Sequence, residues 1–483
     1  MNISQLPLFL KKPFAGTLAL SRQFLQTRSL PAAMGLLQLL WLAVIVGTGT
    51  STRYGLILAL AIFSVAATLA VIYLPDRIIL KFKEPVDRLF VSEKRTLLSL
   101  ALAAILIGVV YAGIQHLWGD EKESFRVATI LSSNPLVTAY MESGWMMNHP
   151  PLIPLIYGFV VRLFGANLLY LRLVSVLFLA GVLAVTYLLG RELYGRDMGY
   201  LAPILFLSFP LVIRLGASAM LDVQLAFFFC LAMWMLVRPA KQPSVWLACA
   251  AGAAVGLGLL TKYIMIFIFV VLFFFVLLLP SFRKIKFHLL AATLVSASIF
   301  AGWLSYANSI GLLPRQIEKI LNFSGIYHVV GNLVEENQAP PSPSAQPESQ
   351  GESLDQGQGD RMQSGILRLG LESLLTRIPS SLGVHYAPLI ILGMLYLIKD
   401  KNPANPIVLL WIGAVSASLF LTLPDHRYFL PVFPAIAIVV ARVLRRFPVY
   451  AERTIILGLL FEAGNLYLFA NWIREAHFFP FGP

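Results

Sequence analysis

The sequence predicts an all-α polytopic membrane protein, a bundle of about thirteen transmembrane helices with further helices lying along its outer face. Three observations predict it. Of 483 residues, 58% are hydrophobic and only 13% charged, with a mean hydropathy of +0.77, which leaves too little polar surface to coat a soluble globule. The apolar residues come in runs of roughly 17 to 25, long enough to span as helices; the strands of an outer-membrane barrel instead alternate in character. Lysine and arginine collect in every second connection, the pattern that marks cytoplasmic loops.

Taken in order, the runs place helices near 34–50, 54–74, 96–118, 168–189, 198–214, 222–237, 244–261, 264–280, 287–306, 384–398, 405–423, 427–444 and 453–472. The basic connections between them include Arg77 to Arg95, Arg191 and Arg196, Arg238 and Lys241, Arg283 to Lys286, Lys399 and Lys401, and Arg445 and Arg446. The net charge of +13 is therefore a topological signal, and nucleic acid is not an expected partner. It puts the N-terminus in the cytoplasm of a plasma (inner) membrane, multi-pass, with the alternate loops facing the periplasm or exterior. The run from Pro150 to Phe164 is apolar enough to span, but counting it would invert every later loop. It is read as a juxtamembrane or re-entrant helix. No cleavable leader is expected, because the first apolar run continues into a multi-span pattern.

Composition also divides the chain. Residues 1–95 form a basic lead, two extra spans with the look of an anchor, and a basic linker. Residues 96–310 form a catalytic transmembrane module with an outer loop at 119–167. Residues 311–383 form an outer loop whose stretch at 337–364 is rich in Pro, Ser, Gln and Gly and cannot build a core. On either side of that insertion, Leu312–Val330 and Ile366–Ile378 are expected as short surface helices. Residues 384–483 supply the C-terminal helices. Cys230 and Cys249 both lie in apolar runs and read as small packing residues, with no disulfide or metal spacing.

The polar exceptions carry the functional signal, since ionisable groups at membrane boundaries are costly. Asp120 and Glu121 follow the third apolar run as an adjacent acidic pair. Asn148-His149-Pro150-Pro151 closes the same loop with a rigid diproline. Asp222 opens the sixth expected span, either as an N-cap or facing Asp120. Lys262 ends another helix, as a snorkelling lysine or as a ligand for an anionic headgroup. Asp425-His426-Arg427-Tyr428 heads a proline-rich helix, where an interface-orienting Arg-Tyr pair is the plainer reading. Gly252 and Gly256 are spaced for close helix packing. There is no phosphate loop of the nucleotide-binding type, no HExxH, no GxSxG and no paired CxxC. Carboxylates opposite cations suit transfer of a sugar from a phosphate carrier, which needs a base for the acceptor's proton and cations for the leaving phosphate. Asp120, with Glu121 or Asp222 as helper, fits the first role; His149, Lys262 and Arg427 with Tyr428 fit the second. The acidic pair Asp120 and Glu121 is also a candidate for a divalent ion.

The ordered set Asp120-Glu121, NHPPL, Tyr170-Leu-Arg-Leu173, Leu221-Asp222, GLGLLTK and HRYFLPVFP resembles the C-type (GT-C) glycosyltransferases. It is most similar to the bacterial branch related to protein O-mannosyltransferases and lipid A aminoarabinose transferases. The resemblance spans roughly Arg95 to Arg446. It implies a GT-C-like bundle, a polyprenyl-phosphate sugar donor, transfer with inversion to a glycan, lipid or protein acceptor, and Asp120 as the catalytic carboxylate. By the same resemblance, Lys262 and Arg427 match positions associated with the lipid phosphate. His149 stands where the family often has Lys, and Phe125 where it often has Tyr. The rival classes are a lipid-linked-glycan flippase or secondary transporter, whose charges tend to sit near the membrane middle, and a glycan ligase.

Overall fold

The computed structural model describes residues 92–324 and 378–445, apart from 116, 118, 384–385 and 423–424. The spans expected at 34–50, 54–74 and 453–472, the insertion at 337–364 and nearly all of the surface helix at 366–378 lie outside the described residues.

Every element in the described residues is helical. The chain opens with α1 (Glu93–Ile114), capped by the Ser92 hydroxyl, which accepts from the Arg95 backbone N–H. The loop that follows folds into α2 (Glu121–Ser133), the short α3 (Leu136–Glu142), a 3₁₀ turn at Met146–Asn148, and α4 (Leu152–Phe164). At 13 residues, α4 is about 20 Å long, too short to cross a bilayer, and it packs on α2. Next comes α5 (Leu168–Tyr194), whose 27 residues form the central post against which α1, α6 (Arg196–Leu207) and α8 (Asp222–Lys241) lean.

Between α6 and α8 the expected single span at 198–214 is broken. The short α7 (Pro210–Gly216) leaves α6 at an angle of 76°. Pro210 has no N–H to continue the ladder of α6, and the chain turns at Ser208 and Phe209 before restarting with Pro210 at its first position. A second correction concerns 264–280, where a 3₁₀ turn at Tyr263–Ile266 precedes α10 (Phe267–Leu278), so the helix is only 12 residues long.

Packing of α9 (Val245–Leu259) follows its glycines. A Cβ on Gly252 would collide with the backbone carbonyl of Ala292, and one on Gly256 would stand 2.9 Å from Ile299. The two gaps let α9 lie directly on α12 (Lys286–Ser309), beyond the short α11 (Pro280–Lys284). Among apolar helices in lipid, such close approach is a main source of association, because burial from water is no longer available. The remaining elements are α13 (Leu313–Ser324), α14 (Ile378–Leu382), α15 (Ala387–Lys399), α16 (Asn405–Thr422), a 3₁₀ turn at His426–Val432, and α17 (Phe433–Leu444).

Five helices among the described residues are long and apolar enough to span, or six if α6 and α7 count as one; five apolar helices are shorter. The thirteen expected spans are thus not all individual full-length helices. Burial separates interior from rim. The apolar window is 83% buried in the segment ending in α17 and 67% in α8, against 28% in α1 and 22% in α12. The rim helices turn Leu98, Leu102, Leu106, Leu290 and Leu294 outward, as a lipid-facing surface requires. Alternating helix directions bring the ends of α1 and α9 and the starts of α5, α8 and α17 to one end of the bundle.

Candidate active site

All the ionisable residues singled out in the sequence gather at that end. Its frame is a buried ion pair. The Arg172 guanidinium, on the first turns of α5, donates from Nε to Glu121 Oε1 at 3.0 Å and from Nη2 to Glu121 Oε2 at 2.9 Å. Its Nη1 donates to the carbonyls of Ala112 and Gln115, at 2.8 and 2.7 Å, which satisfies the end of α1. Glu121 Oε1 also accepts the backbone N–H of Ala219 at 2.7 Å. Gln115 adds hydrogen bonds to Ala217 and Ser218. One carboxylate with no solvent exposure therefore joins α1, α2, α5 and the strap that leads into α8.

This corrects one expectation. Glu121 is not an open partner for Asp120: both its oxygens are held by Arg172, so the two neighbours form neither a paired base nor a chelate. Helix geometry is the reason. Asp120 is the N-cap of α2 and Glu121 its first residue, so their side chains leave the helix in different directions. Among the described residues no group of three or more His, Cys, Asp and Glu lies together as a metal site.

Asp120 points instead to Arg427, whose Nη1 donates to Asp120 Oδ2 at 2.9 Å. The turn at Gly119 is left-handed, with φ +54°, and a Cβ there would crowd Met220 at 3.3 Å and lie in contact with Arg427 Nη1 at 3.8 Å. Glycine thus brings the loop close enough for the contact. Arg427 Nε donates to Asp425 Oδ2 at 3.0 Å, and its Nη2 reaches the Tyr428 hydroxyl at 3.4 Å. Burial works against ionisation of Asp425, yet hydrogen bonding and the adjoining Arg427 cation hold its carboxyl well below the usual range.

The second pair is Lys262 and Asp222, with Nζ 2.6 Å from Oδ1. Both are buried, at 5% and 1% exposure, which rules out a snorkelling lysine. Asp222 is the first residue of α8; the N-cap is Leu221 and no side chain caps the helix. Asp222 Oδ2 makes no hydrogen bond to the described residues. Tyr428 couples the two pairs, its ring lying 4.3 Å from Lys262 Nζ and 5.1 Å from the Arg427 guanidinium carbon, within cation–π range. Beneath, Gln224 donates to the Tyr157 hydroxyl and to Ser175, each at 2.9 Å, and fixes the start of α8 against α4 and α5.

His149 departs most from expectation. Its Nδ1–H donates to the Trp145 carbonyl at 2.7 Å, its ring stacks on Trp145 at 4.0 Å, and its own carbonyl accepts from the Tyr140 hydroxyl at 3.0 Å. Burial, with Lys262 nearby, lowers its pKa from 6.5 to about 4. Burial thus holds it neutral near pH 7, so it is not the standing cation the sequence suggested. An unfolded histidine protonates near pH 6.5, and the folded one resists until about pH 4. In that window the unfolded chain binds more protons, and stability falls as pH falls. His149→Phe is expected to remove this contribution, so the drop in melting temperature between pH 7 and pH 5 becomes smaller than in the wild type. An unchanged drop would mean that His149 is charged in the folded protein.

Three contributors were read without a role. Asp425 was one letter of a loop motif, and Arg172 was part of Tyr170-Leu-Arg-Leu173. Gln316, on α13, is buried, donates to the Met147 carbonyl at 2.8 Å and accepts from the Tyr263 hydroxyl, tying the floor of the site to the element after Lys262. No local pattern marks a glutamine for that task.

Residues 148–306 match the model of the dolichyl-phosphate-mannose-protein mannosyltransferase family. A Bacillus subtilis protein, YkcB, described as a candidate mannosyltransferase, is 22% identical over 263 residues, covering 51% of this chain and 37% of its own. The crystal structure of ArnT from Cupriavidus metallidurans bound to undecaprenyl phosphate superposes with a TM-score of 0.53 at 17% identity, covering 76% of this chain and 64% of that one. The chain thus spans well under half the length of its curated relative and just under two thirds of the solved one. Over residues 148–306 the chain is similar to that mannosyltransferase family, and it shares the helical fold of the solved ArnT structure.

Proposed function

We propose that this chain is an inverting glycosyltransferase that moves a sugar from a polyprenyl-phosphate donor to an acceptor hydroxyl at the outer face of the membrane. One observation carries the reading: Asp120, Asp222, Lys262 and Arg427 converge around Tyr428 at one end of a lipid-embedded bundle. A membrane-sided site admits a polyprenyl tail, and its cations face the bond that has to break. Asp120 takes the proton from the acceptor oxygen as that oxygen attacks the anomeric carbon. The bond from that carbon to the phosphate oxygen breaks, and its electron pair leaves on the phosphate. Lys262 and Arg427 take up the growing negative charge. Glu121 and Arg172 hold the base in place, and residues 96–310 form the catalytic module, with 1–95 as an anchor and 384–483 supplying Arg427. The acceptor is a glycan, a lipid or a protein.

The facing of the site belongs to the same proposal. Arg191, Arg196, Lys241, Arg283 and Lys286 lie where α5, α6, α8, α11 and α12 meet the opposite end of the bundle, which supports a cytoplasmic assignment for that end and a periplasmic one for the site.

The test is a panel of polyprenyl-phosphate sugars offered to the purified protein with candidate acceptors, following release of free polyprenyl phosphate. Release with one sugar is the expected result, and no release from any donor overturns the proposal. Lys262 separates structure from chemistry. Lys262→Met alone strands buried Asp222 and is expected to lower the melting temperature. Lys262→Met with Asp222→Asn restores it, yet the KM for the donor stays up by about tenfold or more, the worth of one charge-assisted hydrogen bond. A double variant with wild-type KM would remove Lys262 from donor binding.

A further inference from the structure

Two cations, Lys262 and Arg427, face three carboxylates, Asp120, Asp222 and Asp425, in the described site. Each cation is already paired, so an incoming phosphate meets no unclaimed positive charge. The two grips on Arg427 differ in kind. Asp425 lies two residues away in the same turn and holds Arg427 twice, accepting its backbone N–H at 3.1 Å and its Nε at 3.0 Å. That pair travels as one unit. Asp120 is 307 residues distant in the chain and touches Arg427 through Nη1 alone. The Nη2 corner has only the long 3.4 Å contact to the Tyr428 hydroxyl. The Nη1–Nη2 edge is therefore the loosely held one, and it is the edge whose two donors match two phosphate oxygens. The Arg427 side chain keeps 18% exposure and that of Asp120 34%, so the pair sits where a ligand reaches it.

We infer that Arg427 is a transferable cation anchored by Asp425: donor phosphate takes the Nη1–Nη2 edge from Asp120, and the departure of Arg427 releases Asp120 to act as base. The inference rests on the proposed function and adds an order to it. The donor binds before the base is free, and an acceptor arriving first meets a carboxylate held in an ion pair. Asp425 is a positioning residue that keeps Nε fixed while the other edge changes partner. Because the resting site holds the binding-competent edge closed, apparent affinity for phosphate is reduced by the fraction of molecules in which the edge is open.

Binding without turnover tests this, using undecaprenyl phosphate as probe on the full chain in detergent or nanodiscs. Asp120→Asn removes the competitor and is expected to bind about three- to tenfold tighter than wild type. Asp425→Asn loosens the anchor and is expected to bind weaker by a similar factor. Equal tightening in both variants reduces the effect to charge repulsion and overturns the exchange; so does unchanged or weaker binding in Asp120→Asn. Asp120→Ser serves the same purpose if the amide misfolds. Failure of the wild type itself to bind the probe counts instead against the polyprenyl-phosphate reading, so the two failures are distinct.

Discussion

Asp120→Asn is expected to lose turnover by roughly 10²- to 10⁴-fold, the usual worth of a positioned base, while the protein inserts and melts as the wild type does. The amide keeps the shape of the side chain but not its charge, so the ion pair with Arg427 Nη1 is gone while the frame around Glu121 is untouched. What it loses is the ability to accept the acceptor's proton. The measurement is single-turnover release of polyprenyl phosphate from the native donor, alongside a melting curve. Wild-type turnover in the asparagine variant would take the base assignment away from Asp120. Turnover and donor affinity are expected to move in opposite directions here, which a merely damaged site would not do.

Arg172→Ala is expected to be the most destabilising single change at this end of the molecule, by about 3–5 kcal/mol. It leaves Glu121 as a fully buried carboxylate without the cation that gripped both its oxygens, and it takes the guanidinium away from the carbonyls of Ala112 and Gln115. Lysine does not replace it, since an ammonium cannot reproduce the fork that holds both oxygens of Glu121. Arg172→Ala with Glu121→Gln is expected to recover part of the melting temperature, because the uncompensated charge is gone, but not the activity, because the guanidinium that joins the end of α1 and the start of α2 to α5 is missing. A single Arg172→Ala variant that melts like the wild type would show that the pair contributes little.

The sequence made the class of protein and the cast of the site legible for one physical reason. In a chain that is 13% charged, an ionisable group at a helix end stands out. Pairing was not legible in the same way. Glu121 and Asp120 look like partners because they are adjacent, whereas their true partners lie 51 and 307 residues on. Lys262 looked like a lysine for lipid headgroups, and its burial against Asp222 depends on two helices 40 residues apart meeting. His149 carried the residue type of a cation, but its charge state is set by burial, which outweighs the hydrogen bond to Trp145, and its own motif encodes neither. The break at Ser208 had a visible marker in Pro210, but hydropathy alone runs smoothly through it.

The long separations also set a schedule for biogenesis. Chains are made and inserted from the N-terminus, so Asp120, Glu121, Arg172 and Asp222 are all in place before Lys262 emerges. Arg427, 307 residues after Asp120, comes later still. A nascent chain thus carries Asp120 with neither proposed phosphate cation until Lys262 emerges, and the ion pair to Asp120 closes only once the turn at His426–Val432 has been made.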